Sequence, residues 1–505
     1  MHRLLRPYLA ALVLLAASFL PAAAQDMATF EKNLTVHKLK NGLTVLIYRR
    51  PVAPVFSFFT YVDVGAAQEV PGITGLAHMF EHMAFKGTSI VGTKDIAAEK
   101  AALAKVDAAY HAYDAERLKP SGADAAKLDS LKKAFKDAQE AADQFIEKNE
   151  FSRIVDRAGG VGMNASTSSD WTVYFYSLPA NKVELWAYLE STRFLDPVFR
   201  EFYKERDVVM EERRLRTESS PTGRLFEQFT ATAYTAHPYK QPVVGYMSDL
   251  MSFTREDAEV FYRKYYVPAN LTVAIVGDVK PDEVIPIVET YFGRIPAGPK
   301  PDPLRTVEPP QTAEKSVSLS DPSQPRYLEG YHRPNDMSPD DPVYDVIADV
   351  LSTGRTSRLY RDLVRDKKIA AQAFAFNGFS GTKYPTLIVF SATPTPGHTN
   401  AEVQAAIRAQ VERLKTEPIT DDELRAVKTR AKANLIRGLA NNSGIARQLA
   451  GTQARKGDWR DLFLYVDRLD KVTKEDVMRV ANATFVAQNR TVGTIENSDA
   501  AKAGK

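Results

Sequence analysis

Two segments of this chain repeat one another at a constant offset, and that repetition limits the possible folds more than any other feature of the sequence. Thr254-Arg255-Glu256-Asp257 opens a helical pattern that runs through Tyr265 to the strand-like Asn270-Leu271-Thr272-Val273-Ala274-Ile275-Val276-Gly277. Thr473-Lys474-Glu475-Asp476 begins the same progression 219 residues later and ends in Asn489-Arg490-Thr491-Val492-Gly493-Thr494-Ile495. Each copy reads as a capped helix feeding a strand, so the chain is expected to fold as a duplicated unit. A weaker match aligns residues 344–354 with 77–87 at an offset of 267, setting Gly354 opposite Gly87. The two offsets differ by 48 residues, which predicts an insertion carried by the first copy alone.

Residues of about 93–150 supply that insertion. They are rich in Ala, Lys, Glu and Asp and are split by Lys119-Pro120-Ser121-Gly122. Leu103, Val106, Tyr110 and Tyr113 on one arm, and Leu128, Leu131, Phe135, Ala138, Ala142 and Phe145 on the other, recur at alternating spacings of 3 and 4. This is the seam of a helical hairpin, and it carries no chemistry. Elsewhere strands and helices mix. Asn41-Gly42 between two apolar runs marks a hairpin, residues 55–64 and 171–178 read as strands, and 180–194 and 201–218 read as helices. The expected class is α+β: two homologous units, each a mostly antiparallel sheet packed with helices. Six prolines in the fifteen positions from Pro296 mark an extended connector. The expected division is 25–296, a linker at 297–312, and 313–505.

The chemistry concentrates in His78-Met79-Phe80-Glu81-His82, on a helix expected to run from about residue 73 to 86. At i, i+3 and i+4 these side chains lie within about one helical turn, so two neutral imidazoles can share a cation while a carboxylate reaches its open position. H-x-x-E-H is the inverzincin pattern, in which the Glu takes a proton from water beside zinc. His78 and His82 are therefore candidate zinc ligands and Glu81 the candidate general base. The chain holds only eight histidines, and two stand here on an otherwise apolar helix. The second copy sets Asp345, Ala348 and Asp349 against His78, Glu81 and His82, so one zinc per chain is expected.

A hydrolytic zinc takes three protein ligands plus water, and this helix offers two. Glu205, Val208, Val209 and Glu212 fall at i, i+3, i+4 and i+7 of a later helix, with Glu211 about 100° round from Glu212. Periodicity alone is also met by a solvated charged helix with Arg206, Arg213 and Arg214 as surface partners. The need for a third ligand favours Glu212.

At the N-terminus a basic start (Arg3, Arg6), an apolar run from Leu9 to Leu20 and Ala22-Ala23-Ala24 read as a secretory signal peptide over residues 1–24. A periplasmic or secreted location follows, with no membrane span once it is removed. The chain has no cysteine, so it forms no disulfide. With 66 basic and 63 acidic residues it is nearly balanced, which gives no reason to invoke nucleic acid.

Taken together these segments resemble the M16 family of metallopeptidases across the mature chain. His78 to His82 matches the family's zinc motif, Asn164-Ala165-Ser166-Thr167-Ser168 its substrate-side strand, and the segment from Glu205 to Glu212 its third-ligand helix. His237-Pro238-Tyr239 to Gly245 and Ser357-Arg358-Leu359-Tyr360 are similar to further family segments. The resemblance implies zinc on His78, His82 and Glu212, Glu81 as base, Glu205 as an acidic residue supporting the site, and peptide contacts from Asn164, Ala165, Ser166 and Thr167. One departure is that 129 residues separate His82 from Glu212, an excess the hairpin accounts for.

The length resembles the family branch in which two chains enclose a chamber that cleaves unstructured peptides. Active relatives hold the peptide with an Arg and a Tyr seven residues later in the second copy of the opposing half. Arg365 keeps the first position, and Gln372 stands at the second. A heterodimer with a homologous M16 chain supplying Arg and Tyr is thus expected over a homodimer. The competing expectation is a non-catalytic scaffold or binding subunit of the same fold.

Overall fold

The computed structural model describes residues 27–498, so the expected signal peptide lies outside the described residues. Strands β1 (Leu34–Lys38), β2 (Thr44–Arg49), β3 (Val55–Val62), β4 (Val161–Thr167), β5 (Thr172–Pro179) and β6 (Leu271–Gly277) build one sheet in the order β1-β2-β6-β3-β5-β4. Strands β7 (Lys315–Asp321), β8 (Arg326–Arg333), β9 (Ala370–Phe379), β10 (Thr386–Pro394) and β11 (Arg490–Asn497) build a second, ordered β7-β11-β8-β10-β9. Without β1 the two orders are the same strand for strand. In each sheet a single parallel pair, β2 with β6 and β7 with β11, breaks an otherwise antiparallel ladder.

The sequence repeat explains this agreement. Helices Arg255–Tyr265 and Lys474–Thr484 both start with a reciprocal capping box, Thr254 with Asp257 and Thr473 with Asp476, and feed β6 and β11. Each box satisfies N–H groups that the first turn of a helix leaves free. At the β1/β2 turn Gly42 adopts φ +100°, which a side chain would resist, and the hairpin register runs from Leu34↔Tyr48 to Lys38↔Thr44.

All seven residues of β6 and all nine of β10 are buried, so both faces of each sheet are covered. The halves do this for one another. Helix Asn442–Lys456 of the second half lies on β3 and β6 of the first, packing Ile445 and Leu449 against Leu46, Phe59 and Val276. Helix Pro221–Ala233 of the first half lies on β7 and β11 of the second, placing Leu225 and Phe229 against Leu328, Val389 and Ile495. Phe229 fits because Gly330 and Gly493 face it, and a Cβ there would stand 2.7 and 3.0 Å from its ring. Each such fully buried apolar side chain contributes about 1.5–3 kcal/mol. Between the sheets residues 296–312 form no helix or strand, and Glu308 in that segment accepts the N–H groups of Thr235, Ala236 and His237.

The insertion is the expected helical hairpin, with the metal-motif helix before it. These are α1 (Leu76–Met83), then α2 (Ile96–Arg117) and α3 (Ala125–Asp143), turning at Gly122 with φ +87°. Its aromatic seam does more than join the arms. Tyr110 lies tilted with its ring centre 4.4 Å from that of Tyr203, and Phe135 stands 5.2 Å from the same ring, on α4 (Phe202–Arg213). The Arg206 guanidinium lies 4.7 Å over Tyr110, and Asp107 accepts from Tyr203 and Arg255. The hairpin therefore braces the helix that carries Glu205 and Glu212.

Candidate metal centre

Helix α1 is shorter than its apolar pattern suggests, starting after Gly75 and closing at Ala84. Gly75 caps it at φ +97°, pressed so near Val244 O and Leu250 that a Cβ would stand 2.8 Å from each, and Gly87 ends the following turn at φ +96°. The first-turn N–H groups of Gly75 and Ala77 donate to the two oxygens of Glu69 at 2.8 and 2.7 Å. Burial pushes the Glu69 carboxyl up to about 8 against the pull of those two bonds. Leu76, Ala77, Met79, Phe80 and Met83 enter the core, which leaves His78, Glu81 and His82 turned toward α4.

There the three expected ligands meet. His78 Nε2 stands 3.7 Å from Glu212 Oε1, His82 Nε2 stands 3.4 Å from Glu212 Oε2, and the ligand atoms all lie within 4.8 Å of one another. Donors about 2.1 Å from one tetrahedral ion stand roughly 3.4 Å apart, so the spacing fits a shared cation better than direct hydrogen bonds. Burial, with help from His82 and Arg216, lowers His78 to about 3, which keeps its imidazole neutral and able to ligate. Among the described residues no other group of three His, Asp or Glu side chains converges in this way.

Glu81 Oε2 lies 4.0 Å from His78 Nε2. Burial raises its carboxyl above the ordinary glutamate value, with Thr167 and His82 pulling it back. Glu205 sits behind the cluster, its Oε1 2.9 Å from His82 Nδ1 and its Oε2 2.7 Å from Lys86 Nζ. Burial opposes the charge on both members of the Glu205–His82 pair, yet their mutual attraction lowers Glu205 and raises His82. Glu211, one position from Glu212, points away and pairs with Arg214.

Beside α1 runs β4, the edge strand, hydrogen-bonded to β5 on one side only. A bulge between Val161 and Asn164, with Gly162 at φ +68°, bends its start. Ala165 is buried in the core, Thr167 Oγ1 reaches Ala77 O at 3.5 Å, Ser166 is half-buried and Asn164 is exposed. Arg365 is not part of this group. It lies in a π-helical turn, Tyr360–Asp366, of the second half and pairs with Asp366, while Gln372 on β9 donates to Thr393. The second copy's Asp345 is held by Asn377 and Tyr465, and Asp349 by Arg430 at 3.0 Å.

Four contributors were not singled out by sequence reasoning. Lys86 bridges Glu201 and Glu205 and could have been found at i+4 from His82. Glu69, Arg200 and Arg216 left no comparable trace. The buried Arg200 guanidinium donates to Lys86 O, Thr88 O, Val91 O and Glu99, fastening the segment after α1 to the hairpin. A Cβ at Gly87 or Gly92 would stand 2.7 or 2.6 Å from its Nη1.

A family model described as Insulinase (Peptidase family M16) matches residues 44–118, and one described as Peptidase M16 inactive domain matches residues 252–431. The chain is 30% identical over 454 residues to the zinc protease PqqE of Helicobacter pylori, covering 88% of this chain and 89% of that protein. A crystal structure of a protease from Helicobacter pylori superposes with TM-score 0.75 at 28% identity, over 92% of this chain and 99% of the other. The periplasmic protease PqqL from Escherichia coli shares the fold at TM-score 0.66 and 17% identity, with 94% of this chain matching 48% of that one.

Proposed function

The chain belongs to the M16 family of metallopeptidases, and from that premise we propose that it is a zinc-dependent endopeptidase acting on unstructured peptides. The observation that carries this reading is the meeting of His78 Nε2, His82 Nε2 and Glu212 beside the Glu81 carboxylate. These three side chains hold one zinc per chain. Zinc, when bound, supplies Lewis acidity that lets a water ionise near neutral pH and polarises a carbonyl. Glu81 accepts the water's proton and passes it to the departing amine, a task suited to a carboxyl whose proton affinity burial has raised. Glu205, steadied by Lys86, receives His82 Nδ1–H and so fixes the tautomer that leaves Nε2 free to ligate. The unpaired edge of β4, from Asn164 to Thr167, takes an extended peptide as an added strand, which gives affinity through the backbone with little demand on sequence.

Two homologous chains close the chamber. The match of this chain to about half of PqqL supports such pairing, since a single chain there spans two such lengths. Gln372 has an amide where the resemblance gives a tyrosine, so a homologous partner supplies Arg and Tyr while this chain supplies the zinc site, with Arg365 keeping one of the two positions. The leader at residues 1–24 directs the mature chain, divided at 297–312, to the periplasm or outside. A scaffold role would have no use for the four-residue constellation, which favours the enzyme. The test is hydrolysis of internally quenched peptides by residues 25–505, alone and with a homologous M16 chain. Activity lost to a chelator and restored by zinc supports the reading, and zinc-replete protein inert under every pairing overturns it.

A further inference from the structure

Arg216 is the charged side chain at this site that the peptidase mechanism leaves unused. It lies in the π-helical turn Arg214–Glu218 that continues α4, and its Nη1 pairs with Glu212 Oε1 at 2.7 Å. The two partners differ sharply in exposure, 74% for Arg216 against 17% for Glu212. One corner of the guanidinium is thus anchored on the cluster and the rest stands in solvent at its mouth. Among the described residues the ion pair of Arg216 is with Glu212, through Nη1, whereas an arginine offers five N–H donors in a fixed plane. The other cation paired with the cluster's carboxylates, Lys86, is 22% exposed and held between Glu201 and Glu205 on the Nδ1 side of His82. It is not free for a ligand.

The surroundings say what Arg216 can recognise. The guanidinium stands beside Glu212 with most of its surface in solvent, and a planar guanidinium can grip a carboxylate through two parallel N–H bonds. Building on the peptidase reading, we propose that Arg216 is a specificity-determining residue that binds a substrate carboxylate next to the scissile bond. Peptides with Asp or Glu at that position are the favoured class.

The test separates binding from turnover. Labelled peptides that differ only by Glu or Gln at the flanking position, and by a free or amidated C-terminus, are titrated onto the zinc-loaded E81Q chain and followed by fluorescence anisotropy. The peptide carrying the carboxylate should bind about three- to tenfold more tightly than its amide, with the margin shrinking as salt rises. The paired Glu/Gln and acid/amide arms identify which carboxylate is used. Compared at matched zinc content, adding R216Q should erase the margin, and adding R216K should restore only part of it, because an ammonium lacks the planar fork. Arg216 is exposed, so neither substitution threatens folding. Equal binding of acid and amide peptides before R216Q is introduced would overturn the proposal, and so would a uniform loss for all peptides on R216Q, which would make Arg216 a general contact. Failure of the peptidase reading looks different: no peptide binds E81Q and the unmutated chain hydrolyses none even when paired with a homologous M16 chain, whatever the charge, and this inference falls with it.

Discussion

Glu205 Oε1 stands 2.9 Å from His82 Nδ1, on the side of the imidazole opposite Glu212. A carboxylate there makes Nδ1 the protonated nitrogen, which orients the ring and raises the basicity of Nε2. Glu205→Gln should therefore weaken zinc binding by roughly 10- to 100-fold while the fold persists. Competition with a chromophoric chelator measures this, and unchanged affinity would remove Glu205 from any positioning role.

Glu81→Gln should keep its metal yet hydrolyse peptides at least about 10²-fold more slowly, since general-base catalysis commonly contributes 10²- to 10⁴-fold. Metal analysis and a quenched-peptide assay on the same sample decide it. Hydrolysis at the original rate would mean that another group takes the proton.

Zinc should bind once per chain and be lost on Glu212→Gln, because Asp345 and Asp349 are already engaged by Asn377, Tyr465 and Arg430. Two ions per chain, or full occupancy in the variant, would contradict the ligand set.

His237 gives a pH dependence away from the metal. Burial lowers its imidazole to about 4, while the unfolded chain keeps the ordinary value of about 6.5. Between these values the unfolded state binds more protons, so stability is full above about pH 6.5 and falls as pH drops toward 4. Urea midpoints of the parent chain and His237→Asn, followed from pH 7 to 4, should converge on acidification, and parallel curves would refute the assignment.

Phe229→Ala should cost about 3–5 kcal/mol, because the ring fills the space between the halves against Leu328 and Val389 and opposite Gly330 and Gly493. A thermal melt reads this directly. A loss under about 1 kcal/mol would mean that Phe229 does not hold the halves together.

The partner proposal also makes a prediction. The mature chain alone should be nearly inactive and gain activity with a homologous chain, and Arg365→Ala should matter only in the assembled pair. Full activity from a homodimer indifferent to Arg365→Ala and Gln372→Ala would exclude it.

Much of this molecule is local, and local features are legible in sequence. The capping boxes at Thr254 and Thr473, the Asn41-Gly42 turn and the spacing of His78, Glu81 and His82 each act within a few residues, so their geometry follows from backbone rules alone. Periodicity could put Glu205 and Glu212 on one helix face. It could not say that Glu205 would lie on Nδ1 of His82 and Glu212 on Nε2, because that depends on how α4 crosses α1. The same limit hid Glu69, whose carboxylate meets N–H groups six and eight residues away only because Gly75 turns the chain through a positive φ. Arg200 and the exchange of helices between the halves lay deeper still. Arg200 gathers carbonyls more than a hundred residues away, and Phe229 rests on two glycines of the other sheet. The sequence alone determined a duplicated α+β chain with one zinc motif, since repeats and helical spacing are properties of neighbours along the chain. Tertiary structure decided which carboxylate faces which nitrogen, because close packing brings together residues that no sequence spacing relates.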